Sequence, residues 1–149
     1  MAEVYRTGAR AGGNADTIVI HCSDSRFQRH FQEFLEKHLG LDNYGLLAVP
    51  GGPQFLTLVD YLPKFSWVGW RWVQFLVDAA PPRRIILIAH HDCLWYRDSR
   101  FSLHRGDVFE RQVGDLQRVR KAISGRFPGL AAELYYARLE QGEASFEPV

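Results

Sequence analysis

Three short runs of β-branched and aliphatic residues constrain this chain more than any other feature. They are "TIVIHC" (17–22), "YGLLAV" (44–49) and "IILIAH" (85–90). The first is apolar on both faces, as a strand buried inside a parallel sheet is. The third is the most apolar and is expected at the centre of the sheet. Helical patterns lie between them. Ser25 with Gln28 reads as a capping box opening a helix, with Phe27, Phe31, Phe34, Leu35 and His38 on one face and Gly40 as its stop. After "PGGP" (50–53), residues 53 to 63 read as an irregular connection with a short helical turn. "SWVGWRWVQFLVDAA" (66–80) reads as a helix. Residues 94 to 106 read as irregular, and 107 to 124 as a helix capped by Asp107. That helix carries Phe109, Val113, Leu116, Val119 and Ile123 inward and is ended by Gly125 and Pro128. "LAAELYYARLEQG" with "ASFEPV" reads as a strand, a turn and an edge strand, although its first part also fits a helix. Strands alternating with helices define the α/β class: a mainly parallel central sheet with flanking helices.

A chain of 149 residues has room for a single domain with a sizeable core. The domain is expected over residues 16–149, behind a loose Gly, Ala and Arg-rich arm at 1–15. Net charge is +1, and the basic "RVRK" stretch fits a solvated helix face, so no nucleic-acid partner is expected. No apolar run is long enough for a bilayer, and the N-terminus has no secretory hydrophobic region. Two cysteines do not make a disulfide framework, so a reducing, cytoplasmic setting is expected.

The two cysteines stand at significant places. In parallel α/β sheets the ligand site lies beyond the carboxyl ends of the strands, where strand order reverses. Cys22 closes the first strand and Cys93 follows the third, and a right-handed crossover can set those strands side by side. His90 and Cys93 form H-x-x-C, which one turn can present to a metal. Zinc takes Cys and His in tetrahedral geometry. Cys22 supplies a third ligand, which leaves the fourth position to water or to Asp24. Two thiolates and a neutral imidazole bring the charge of a zinc site close to zero. Two buried core thiols at strand ends are the simpler reading of the same cysteines, but it leaves His90, Asp24 and Arg26 unexplained.

C-x-D-x-R (Cys22, Asp24, Arg26) followed by H-x-x-C (His90, Cys93) resembles the β-class carbonic anhydrases, of which this chain would be a small, divergent member. "CSDSR" is the family's usual spelling, and "ILIAHHDC" looks like its third strand running into the zinc loop. The resemblance implies a Zn²⁺ ion on Cys22, His90 and Cys93, and reversible hydration of carbon dioxide to bicarbonate by a zinc-bound hydroxide. It also implies a homodimer or a higher assembly built on dimers. Asp24 would accept a hydrogen bond from the zinc-bound water, or bind the metal itself in a closed state; Arg26 would hold Asp24 and decide between the two.

The chain also departs from the family pattern. "VPGGP" (49–53) stands where the family carries an Arg-Asn-Ala-Gly-Asn-like segment, and Leu94, Trp95 and Tyr96 follow the second cysteine in place of glycine. These bulky residues can narrow the pocket, which keeps hydrolysis of carbonyl sulfide or carbon disulfide open on the same site. A zinc protein without turnover, with Asp24 closing the site, is open too. His91 has the wrong spacing to Cys93 for the motif and should face away from His90. His21 flanks the first cysteine, and His30 and His104 are expected as ordinary surface residues. The aromatics Phe65, Trp67, Trp70, Trp72 and Phe75 make one helix apolar on several faces, to be covered either by its own loops or by a second subunit.

Overall fold

The computed structural model describes residues 4–8, 15–57, 62–98 and 106–149. Five strands form one sheet: β1 (Thr17–Cys22), β2 (Gly45–Val49), β3 (Arg84–His90), β4 (Ala131–Glu140) and β5 (Glu143–Pro148). Their order is β2-β1-β3-β4-β5, so β3 is central, as its apolar run predicts. The pairs β1·β2, β1·β3 and β3·β4 are parallel, and β5 closes the edge antiparallel to β4. Every residue of β1 is buried, and so is all of β3 after Arg84. The chain steps outward from β1 to β2 and then returns to the other side of β1. Strand order therefore reverses between β1 and β3, and a crevice opens at their carboxyl ends.

Helices cover both faces. Helix α1 (Gln28–Glu33), continued by a π-helical turn (Phe34–His38), packs Phe27, Phe31, Phe34 and Leu35 on Val19, Ile86 and Ile88. The opposite face holds a 3₁₀ segment (Gly52–Thr57), α2 (Pro63–Ala79) and α4 (Val108–Arg126). There Trp70, Val73, Leu116, Val119 and Ile123 meet Ile18, Ile20, Ile85 and Leu87. A four-residue helix, α3 (Leu94–Arg97), follows Cys93.

Several local expectations need correction. The Ser25 capping box does not form: the N-cap of α1 is Phe27, without a side-chain cap. Gln28 instead donates to the carbonyls of Cys22 at 3.1 Å and Asp24 at 2.9 Å, fastening the strand end. His38 is exposed and stacks on Phe34, because the wider π turn takes it off the 3.6-residue stripe. Gly40 does end this segment, at φ +66. Helix α2 starts earlier than expected, with Pro63 in its first turn, where a missing N–H costs nothing. Asp107 caps α4 by accepting from the amides of Phe109 and Glu110, but the helix runs through Gly125 to Arg126. On α4, Phe109 and Val113 are only half-buried, whereas the polar Gln112 and Asp115 are buried. His104 and parts of the N-terminal arm and of the connections at 53–63 and 94–106 lie outside the described residues; residues 4–8 are exposed.

Gly69 of α2 is where the helix meets the 3₁₀ segment. A Cβ there would lie 2.0 Å from the ring of Phe55, which is itself buried. Overpacking of this kind costs about 1–3 kcal/mol. Gly69→Ala is expected to lower the urea midpoint at unchanged m-value; an unchanged midpoint would mean that the Phe55 ring is free to move aside.

Candidate metal centre

The adjacency of β1 and β3 brings the two halves of the site together. β1 ends at Cys22; β3 ends at His90, after which the chain turns through His91 and Asp92 to Cys93. Asp92 takes φ +54, a left-handed conformation that aspartate tolerates better than most residues. The "PGGP" turn closes over the strand ends. Gly51 and Gly52 both have positive φ, and a Cβ on Gly52 would press at 3.0 Å on the Cys22 amide nitrogen and at 3.2 Å on the Ile88 carbonyl. Only glycine lets this backbone pass so close.

The Cys22 and Cys93 sulfurs lie 3.9 Å apart, as free thiols. With a ring nitrogen of His90 they form a buried set of three ligand atoms, all within 4.8 Å of one another. Two sulfurs each about 2.3 Å from a tetrahedral zinc stand roughly 3.8 Å apart, so this spacing admits the ion. The histidine fits as well. His90 Nδ1 lies 2.9 Å from the His91 carbonyl, which as acceptor fixes the proton on Nδ1. That leaves Nε2 with a bare lone pair, and Nε2 is buried without any hydrogen-bond partner. A buried nitrogen without a hydrogen-bond partner, in one cluster with two sulfurs, fits a set of cation ligands. His91, by contrast, is exposed, as the alternation of the strand requires. His21 packs on Phe31, with Nδ1 2.8 Å from the Cys22 carbonyl, and burial lowers its pKa.

Electrostatics divide the two thiols. The hydrogen bond with Cys93 and then the His90 ring bring Cys22 down to about 4. Its thiolate, together with burial, pushes Cys93 well above the ordinary thiol range. The pair thus resists losing both protons, and binding a cation through two thiolates would release what it holds.

Asp24 stands beside this cluster with both carboxylate oxygens taken by Arg26. Nε donates to Oδ1 at 3.1 Å, Nη2 to Oδ2 at 2.7 Å, and the Arg26 amide to Oδ1 at 3.0 Å. These hydrogen bonds hold the carboxyl below the usual carboxylate range. Arg26 reaches across to the second motif too, donating to Asp92 Oδ2 at 3.0 Å and to the Asp92 carbonyl at 2.9 Å. Arg97 of α3 binds the other Asp92 oxygen.

The three bulky residues after Cys93 part company. Leu94 is 64% exposed and does not narrow the site. Tyr96 is buried against the two cysteines, and its hydroxyl donates to Asp115 at 2.7 Å. Trp95 packs on the same cluster and lies over Gly51. It also lines an apolar groove of about 350 Å³ with Val49, Pro50, Phe55, Phe65 and Trp72. Sequence reasoning missed Gln112 and Tyr136: the Gln112 amide donates to the His90 carbonyl at 2.9 Å and accepts from the Tyr136 hydroxyl at 3.0 Å. A glutamine in the inward stripe of α4 is their one sequence signal.

No protein-family model matches the sequence, and no curated protein matches it. Among solved structures the chain is similar to the carbonic anhydrase from Streptococcus mutans. The TM-score is 0.57 at 14% identity, over 94% of this chain and 87% of that one. The β-carbonic anhydrase CafA of Aspergillus fumigatus aligns with a TM-score of 0.47 at 13% identity, over 91% of this chain and 76% of that one. The likeness is one of fold. The chain has the β-carbonic-anhydrase-like α/β architecture that its two motifs imply.

Purified protein is expected to carry about one zinc ion per chain. Cys22→Ser, Cys93→Ser and His90→Ala should lose it and His91→Ala should keep it, as read by metal analysis. Affinity should rise with pH, because the raised Cys93 must give up its proton to bind. Loss of zinc in His91→Ala with retention in His90→Ala would overturn the ligand set.

Proposed function

We propose that residues 16–149 form a single zinc-binding domain that catalyses the reversible hydration of carbon dioxide to bicarbonate. The observation that carries this reading is the buried sulfur, nitrogen, sulfur set with its orphaned His90 Nε2, at the reversal of strand order. Cys22, His90 and Cys93 would hold the ion. A zinc ion so held would lower the pKa of a coordinated water from 15.7 to roughly 7 and so would supply a nucleophile at neutral pH.

The protein's own groups then do three things. Asp24, kept ionised by Arg26, accepts a hydrogen bond from the attacking water and orients it toward the substrate carbon. Arg26, by occupying both Asp24 oxygens, keeps that carboxylate from filling the metal position, the state a zinc protein without turnover would adopt. Trp95 and the apolar groove beside it offer an uncharged, linear substrate a dry approach. The same lining leaves carbonyl sulfide or carbon disulfide as a second substrate class, since sulfur makes these larger and more polarisable partners for an apolar wall. Among the described residues no helix is long and apolar enough to cross a membrane. Two free thiols fit a reducing cytoplasm.

A homodimer completes the reading. Phe65, Trp67, Trp72 and Phe75 are each about half exposed or more, and Leu46 of the neighbouring edge strand β2 is 46% exposed. β2 has no charged residue, whereas natural edges are commonly guarded by charge or proline. An apolar patch of this kind marks an interface.

The carbon dioxide hydration rate should be low near about pH 6 and climb toward about pH 9, across the pKa near 7 of catalytic zinc-bound water. Two thiolates donate more charge than imidazoles, which moves the rise to the alkaline side. Arg26→Ala should depress the rate throughout. A rate flat with pH in zinc-loaded protein would remove the mechanism; faster turnover of carbonyl sulfide in a competition assay would favour the second substrate class. Sedimentation at micromolar concentration should show at least a dimer, and a monomer would refute the assembly.

A further inference from the structure

The Asp24–Arg26 pair alone does not account for the placement of Arg26. Its guanidinium has five N–H donors, and four are engaged here: two on the Asp24 carboxylate, one on Asp92 Oδ2 and one on the Asp92 carbonyl. Asp92 in turn receives Arg26 on one carboxylate oxygen and Arg97 on the other. Asp24, Arg26, Asp92 and Arg97 thus form a row of alternating charge that runs from the Cys22 loop across the His90–Cys93 turn into α3. The turn is shaped for this contact. Asp92 is one of two non-glycine residues with positive φ among the described residues, and that conformation lets its carbonyl and its carboxylate meet the same guanidinium.

We propose that Asp92 is a positioning residue of the metal centre: it pins Arg26 against the His90–Cys93 turn and so keeps Asp24 from closing the metal position. The inference rests on the zinc reading given above. The physical reason lies in what Arg26 does when Asp24 lets go. Its side chain is 41% exposed. Unpinned, it can swing into solvent, where water satisfies its donors and the loss of Asp24 costs little. Pinned by Asp92, it stays with two donors aimed at the place Asp24 has left, and the return of the carboxylate is favoured. The pin also joins the two ligand-bearing loops, which no covalent link connects. Arg97 balances the charge of Asp92, so Arg26 remains available to Asp24.

The test uses cobalt(II)-substituted protein and thiocyanate, whose binding at the open metal position is followed by visible absorption. Asp92→Gly keeps the positive φ without strain and removes the carboxylate. Asp92→Asn also tolerates that φ and leaves a neutral acceptor. Thiocyanate affinity is expected to fall roughly tenfold in Asp92→Gly, the scale at which supporting groups around a metal act, and by less in Asp92→Asn. The double variant Asp92→Gly with Asp24→Asn should recover wild-type affinity, because the group that closes the site is then gone. Unchanged affinity in Asp92→Gly overturns the proposal, as does a loss that persists in the double variant, which would mark Asp92 as merely structural. A metal-free arm separates this from the zinc reading. In the apoprotein, Asp92→Gly should speed hydrogen exchange at the Arg26 amide, which donates to Asp24 within the Cys22 loop, away from the substituted turn. Failure to take up cobalt would refute the zinc reading, while the exchange arm would still decide the pin; unchanged exchange overturns it.

Discussion

The parallel pairing of β1 with β3 is the interaction on which the rest depends. Ile18, Val19 and Ile20 lie in register with Ile85, Ile86 and Leu87, so both strands finish at the same level. At those ends stand Cys22, the last residue of β1, and His90, the last residue of β3, with its turn to Cys93. Neither loop makes a site alone. The β2 excursion adds the third wall, because the chain must come back over the strand ends, and Gly52 allows it to do so in contact with Cys22. A crossover that placed β2 between β1 and β3 would keep every motif and lose the centre.

Much of this was legible in the sequence. The strands announce themselves through β-branched runs buried on both faces, and His90 and Cys93 through a spacing that a tight turn can present. The alternation in "LAAELYYARLE" fitted a strand and a helix alike, and the structure makes it β4, paired with β3 on one side and β5 on the other. What was not legible depends on partners distant in the chain. Gln28 looks like a capping residue because local spacing says so; the carbonyls it serves become reachable only once β1 ends where it does. Asp92 is an unremarkable polar residue in "HHDC" until Arg26, far back in the chain, is brought against it. The split of Leu94, Trp95 and Tyr96 among solvent, groove and core follows from the single turn of α3, too short to show a period.

The outward aromatics of α2 carry the same lesson at the surface. Trp70 and Trp72 are two positions apart on one helix; one is buried and stacks under Arg126, while the other is 47% exposed beside the groove. Composition counts them alike. Only the placement of the sheet, with β2 at its edge, decides that one serves the core and the other faces outward next to the candidate centre.

Charge explains why a centre so buried is tenable. Two thiolates and a neutral imidazole leave −2 on the protein side, which a divalent cation cancels. Without the cation a second thiolate would be uncompensated, and the contact between the two sulfurs opposes ionisation of both at once. The nearby carboxylates are handled the same way: Asp24 by Arg26, Asp92 by Arg26 and Arg97, and Asp115 by Arg118 and the Tyr96 hydroxyl. Each acidic group near the cysteines thus has its own cation. The one buried polar atom of this cluster without a partner is His90 Nε2, and it faces the two sulfurs. A network that satisfies the groups around a point and leaves that point open fits the cation proposed for it.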